Sequence, residues 1–125
     1  MSNIYHRQKH LETLLSQKIK IIYQENLEQQ IDDVYYRLFD RTLIVVIEGT
    51  VTPPEILLEK KDRSDIAKQV REIIDRLLQP QIKNIIEEVM DVTVTDFICD
   101  TTIKSNCTGA IVIFELKSTT NSNSD

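Results

Sequence analysis

Asp33–Gly49 reads DVYYRLFDRTLIVVIEG, and Thr50–Glu55 continues TVTPPE. Two runs of β-branched and aromatic residues, Asp33 to Phe39 and Thr42 to Glu48, flank Asp40-Arg41. Two such runs joined by a two-residue link predict a β-hairpin, although this link lacks the glycine of the best turn formers. Gly49 ends the pair. Thr52-Pro53-Pro54-Glu55 then has the chemistry of a helix start. Thr52 can cap. The prolines can occupy the first turn, where their missing N–H groups cost nothing, and Glu55 stands at the capping-box position. A short helix to about Glu59 follows from this.

Helices flank the hairpin on both sides. Upstream, Leu11, Leu14, Leu15, Ile19, Ile22 and Tyr23 recur at steps of three and four, which predicts a helix from about Gln8 to Leu27. Downstream, a long helix begins at Ser64 or Asp65, and Ile66, Val70, Ile73, Ile74, Leu77, Leu78, Ile82, Ile85, Ile86 and Val89 stay in phase along it. Pro80 falls inside that pattern and predicts a kink near Leu77 to Gln79, because proline removes a hydrogen bond and crowds the preceding turn. Two further strands are expected at about Val92 to Cys99 and Ala110 to Leu116, with a polar loop from Asp100 to Gly109 between them. Residues 118–125 are Ser, Thr, Asn and Asp and read as a disordered polar tail. The element order is α-β-β-α-α-β-β. It describes a single two-layer α/β (α+β) domain over residues 1–117, with a four-stranded, mainly antiparallel sheet packed on long helices.

Two patterns refine this picture. Val34, Leu38, Asp40 and Thr42 have counterparts in Val94, Ile98, Asp100 and Thr102, a weak internal repeat of helix plus strand pair. In Leu43 to Ile47 and Ala110 to Phe114, apolar side chains point to both faces of the sheet, whereas a sheet with helices on one side and water on the other alternates. Something therefore covers the second face, either a helix of the same chain or a second copy. A homodimer is the expectation.

The same residues weigh against several functions. The net charge of −5, with no dense cluster of Lys and Arg, disfavours nucleic acid. Lys60, Lys61 and Arg63 are interleaved with Glu59, Asp62 and Asp65 as on a solvated face. The longest apolar run, Leu43 to Ile47, is too short to span a bilayer, and Met1 to His10 is too polar for a signal peptide. Cys99 and Cys107 lack zinc or redox spacing and read as free thiols in a reducing cytoplasm. Neither has a histidine plausibly beside it, and with only Gly49 and Gly109 there is no phosphate-cradling loop. No catalytic residue, cofactor site or metal site is therefore assigned.

The remaining candidates are polar clusters. His6 and His10 are four apart but have no evident third ligand nearby. Glu87, Glu88 and Asp91 crowd the end of the long helix, as a cation site or a solvated acidic patch. Asp96 interrupts the face of Val92, Val94 and Ile98, as a buried acid or an edge-strand residue facing water. Arg71 and Arg76, with Lys68 nearby, lie on the polar side of the long helix, free to hold an anion or to pair with Glu72 and Asp75.

From Val51 to Glu55 onward the chain resembles the MpsC-like family. The resemblance runs through Leu58, Arg71, Pro80-Gln81-Ile82, Val92 to Val94, Asp100 and Phe114-Glu115-Leu116. It covers most of Asp33 to Leu116, and the leading helix fits as well. Asp91 stands where the family pattern carries a glycine, and Val51 replaces its commoner leucine. The resemblance implies a small accessory component of a bacterial Na+-translocating, membrane-potential-generating system, with no catalytic residues to carry over. The expected function is thus a non-enzymatic cytoplasmic accessory or regulatory protein. It would act through protein contacts and serve a membrane ion-translocating or inorganic-carbon system, with an unidentified partner associated with the membrane. The alternative is a small-ligand or ion sensor using Arg71, Asp96 and the Glu87-Glu88-Asp91 group.

Overall fold

A computed structural model describes residues 7–117 of the chain. His6 and the polar tail at 118–125 lie outside the described residues. The elements are α1 (Gln8–Leu27), β1 (Val34–Phe39), β2 (Thr42–Glu48), α2 (Pro53–Lys60), α3 (Ser64–Met90), β3 (Val92–Thr102) and β4 (Cys107–Leu116), the order expected from the pattern. The four strands form one antiparallel sheet in the order β1-β2-β4-β3. This order is palindromic in the two halves. A pseudo-twofold through the central β2–β4 pair relates α1-β1-β2 to α3-β3-β4. The residue pairs of the weak sequence repeat do not coincide in it, since Leu38 faces the core while Ile98 faces outward, and Asp40 lies in a turn while Asp100 lies in a strand.

One face of the sheet builds the core. Leu43, Val45 and Ile47 of β2 and Ala110, Val112 and Phe114 of β4 are buried there with Leu11, Leu15, Ile19 and Ile22 of α1 and Ile74, Leu78, Ile82 and Ile86 of α3. The two long helices pack against each other over this layer. Helix α3 runs without interruption through Pro80, an exposed position, and the apolar phase on either side of the proline is held by the same core.

Tight turns fix the register. Asp40, at φ 49°, takes the left-handed conformation in the β1–β2 turn, which Asp tolerates better than most residues. Gly49 sits at φ +83°, and a Cβ there would lie 2.6 Å from Asp32 Oδ2, so only glycine fits where β2 ends. Asp91 caps α3 in the left-handed region at φ 57°, a conformation that glycine adopts most readily.

The second hairpin departs from expectation. Asp100, Thr101 and Thr102 pair with Gly109, Thr108 and Cys107, so the polar stretch read as a loop is mostly strand. The turn shrinks to Ile103–Asn106, closed by a bond from the Asn106 N–H to the Ile103 carbonyl at 3.1 Å. Threonine is a good strand former whatever its polarity. Here the inward hydroxyls bond each other, Thr101 to Thr108 at 2.6 Å and Thr108 to Thr50 at 2.8 Å. A register shift between Val94 and Asp96 also inverts the outer half of β3. Phe97 and Cys99 turn inward, and Ile98, expected to share a face with Val92 and Val94, is 61% exposed on the other side.

Candidate functional site

Thr52-Pro53-Pro54-Glu55 forms the expected helix start. Thr52 is the N-cap in extended conformation, both prolines lie in the first turn, and Glu55 completes the capping box. The Glu55 carboxylate is fully buried. Its Oε1 accepts from the Thr52 N–H at 3.0 Å and from the Thr52 hydroxyl at 2.9 Å. A carboxylate in that position needs a cation, and α3 supplies one. Arg71 grips Glu55 with both prongs of the fork, Nη2 to Oε1 at 2.7 Å and Nε to Oε2 at 2.8 Å. Nη2 also donates to the Thr50 carbonyl at 2.9 Å, and Nη1 to Asp75 Oδ1 at 3.2 Å. Four of the five guanidinium N–H groups are thus committed within the protein.

The electrostatics follow from this packing. Burial alone would lower the Arg71 pKa, but the hydrogen bonds and charges of Glu55 and Asp75 outweigh it and the net shift is upward. Burial raises the Asp75 carboxyl, and Arg71 opposes the rise. Asp75 also accepts from the Thr101 hydroxyl at 3.4 Å, which ties the ion pair to the threonine chain. Tyr23 of α1 reaches the same chain through Thr108, its phenol pushed up by burial. Cys99 lies nearby, and burial followed by the charges of Asp75 and Asp100 pushes its thiol up to about 12. Such a thiol stays protonated at neutral pH and is a poor nucleophile.

Beside this network lies an open cleft of about 680 Å³, whose walls include Ser64, Lys68, Arg71, Asp75, Asp100 and Lys104. Lys68 and Lys104 are balanced by Glu59, Glu72 and Asp100. The arrangement offers mixed-charge surface contacts.

The other residues singled out in the sequence are scattered. Arg76 is exposed on α3 and does not line the cleft. Glu87 accepts from the Val94 N–H at 2.8 Å and so anchors the start of β3. Glu88 is exposed, and Asp91 forms a surface ion pair with Lys117 at 3.4 Å. Asp96 is exposed on the sheet face opposite the helices. The structure therefore does not gather Arg71, Asp96 and the Glu87-Glu88-Asp91 group into one site. His10 is exposed on α1. Among the described residues, no group of three or more His, Cys, Asp or Glu is placed to hold a metal ion.

The sheet face opposite the helices is the second notable surface. Four rows of outward residues lie on it: Glu48, Cys107 and Thr102; Tyr35, Val46, Gly109 and Asp100; Arg37, Ile44, Ile111 and Ile98; Phe39, Thr42, Ile113 and Asp96. Tyr35 is 51% exposed, Phe39 50%, Ile98 61% and Ile111 43%, so no element among the described residues covers this face. The expectation that a helix of the chain or a second copy lies here is met by no helix.

A family model described as "Na+-translocating membrane potential-generating system (MpsC)" matches residues 7–116. No curated protein and no solved structure matches the chain.

Proposed function

The chain belongs to the MpsC family, and from that premise we propose that it is a non-enzymatic accessory or regulatory component of a membrane ion-translocating system, acting through protein contacts. On this reading it is cytoplasmic and reaches the membrane through a partner. Among the described residues no helix is long and apolar enough to cross a membrane, so contact with such a system would be made by surfaces. The observation that carries the reading is the uncovered apolar sheet face, since contiguous apolar surface of that kind marks interaction sites. The Arg71–Glu55 network supports it indirectly. The charges that would bind a small ligand are instead spent on joining α2 to α3.

The sensor reading has one observation behind it, the cleft beside Asp75 and Thr101. It is the weaker reading, because Arg71 has one N–H left to offer a ligand there.

Cells lacking the chain should show a reduced Na+-dependent membrane potential, measured with a potential-sensitive dye. The native chain should restore it, and Ile111→Glu, which charges the sheet face, should not. An unchanged potential in the deletion strain, or full rescue by Ile111→Glu, would contradict the proposal.

A further inference from the structure

In the three rows that cross all four strands, the charged residues lie at opposite edges with opposite sign, while Glu48 and Asp33 add negative charge at the end of the face beside Tyr35. Arg37 lies on edge strand β1, and Asp96 and Asp100 lie on edge strand β3, either side of Ile98. Among the described residues no ion pair engages Arg37, Asp96 or Asp100. Between the edges the face is apolar, with Ile44, Val46, Ile111 and Ile113 at its centre.

Gly109 adds an independent mark. It lies inside β4, where glycine weakens a strand, and its backbone is outside the left-handed region that would require glycine. A Cβ built there meets nothing within 4 Å. The residue thus leaves a dimple in the apolar face that the chain itself does not fill, next to Val46 on the neighbouring strand.

We propose that this face is a self-complementary interface with a second copy of the chain, stacked sheet on sheet about a twofold axis that runs along the strands between β2 and β4. The inference rests on the contact reading above and names the partner of that surface. A rotation about this axis lays β1 of one copy over β3 of the other and β2 over β4, and it keeps each row opposite itself. Arg37 of each copy then stands over Ile98 of the other, between Asp96 and Asp100. Val46 of each copy stands over the other's Gly109, and Ile44 over the other's Ile111. The sheets lie about 10 Å apart, a gap that interdigitating side chains fill. The other in-plane twofold, perpendicular to the strands, would lay β1 on β1 and bring Arg37 against Arg37. The charge pattern selects against it.

Charge reversal tests the axis as well as the surface. Arg37→Asp alone, and Asp96→Arg with Asp100→Arg alone, should each weaken self-association by about tenfold or more, because each homodimer would oppose like charges. Mixed, the two variants should form a heterodimer in native mass spectrometry, since both Arg–Asp clusters are restored across that pair. Gly109→Val should weaken the dimer by a similar factor, about tenfold, by filling the dimple, while leaving the monomer's thermal midpoint unchanged or higher. A native dimer indifferent to these changes, or a mixture that yields no heterodimer, would overturn the proposal. A photocrosslinker at Ile111 in cells separates the two readings. If the native chain is monomeric and the crosslinker traps a different protein, the second copy is wrong and the contact reading stands. If it traps nothing, both fail.

Discussion

Arg71 is the residue that joins α2 to α3. It holds the capping carboxylate of α2 from the middle of α3, in a site it shares with the Thr50 carbonyl and Asp75. Removing one member of a buried pair strands the other charge, so Glu55→Ala should destabilise the fold by about 3–5 kcal/mol in urea titration. Joint replacement by Glu55→Met and Arg71→Met should recover part of that loss; a double variant no more stable than Glu55→Ala would contradict the pairing. Thr52→Ala removes the capping hydroxyl together with its bond to the Glu55 carboxylate and should cost about 1 kcal/mol. An unchanged urea midpoint would count against the capping role. The capping box was legible from four consecutive residues, but its cation was not. The sequence pattern puts Arg71 on the polar side of α3, yet it belongs to the buried stripe Ala67, Arg71, Ile74 and Leu78. That spacing was the available signal, hidden because an arginine in a core phase reads as an interruption.

Titration supplies a further residue-scale test. Burial pushes the Cys99 thiol and the Tyr36 phenol each up to about 12. In the unfolded chain a thiol ionises near 8.5 and a phenol near 10, values from model peptides. Above pH of about 8.5 the unfolded state therefore binds fewer protons than the folded one, and stability falls as pH rises toward the folded values. The urea midpoint should decline steadily between about pH 8.5 and 11, and Cys99→Ala should flatten the first part of the decline. A midpoint independent of pH across that interval would contradict the burial of both groups.

At the scale of elements, apolar periodicity located both long helices and the first hairpin, while polar chemistry misled at the second. Asp100 to Gly109 contains Asp, Thr, Lys, Ser and Asn and so resembles a loop, yet its threonines bond one another across the β3–β4 ladder. The irregularity at Thr95 was likewise invisible, because a bulge leaves no residue signature here and reverses which side Ile98 faces. Pro80 lies inside α3, which continues on both sides of it as the unbroken apolar phase predicts. Its flanking turns are held by the core contacts of Leu78 and Ile82, so α3 continues through it. The missing hydrogen bond and ring crowding still cost stability, and Pro80→Ala should raise it by about 1–3 kcal/mol. A destabilised variant would mean that the proline shapes the helix rather than straining it.

At the scale of the whole molecule, the helices take one side of the sheet and leave the other uncovered. The sequence already showed two-sided apolar strands in Leu43 to Ile47 and Ala110 to Phe114, but whether the chain would cover both sides depends on where α2 lies. Glu55 and Arg71 fix α2 against α3, away from the outer face. That leaves Tyr35, Phe39, Ile98 and Ile111 exposed around Ile44, Val46 and Ile113, an arrangement unusual for a protein that works as a monomer. Sedimentation equilibrium of the native chain at micromolar concentration tests this most directly. The account predicts about twice the chain mass of 14.5 kDa, reverting to monomer or passing to aggregate in Ile44→Glu or Val46→Glu. A clean monomer of the native chain across that concentration range would contradict it.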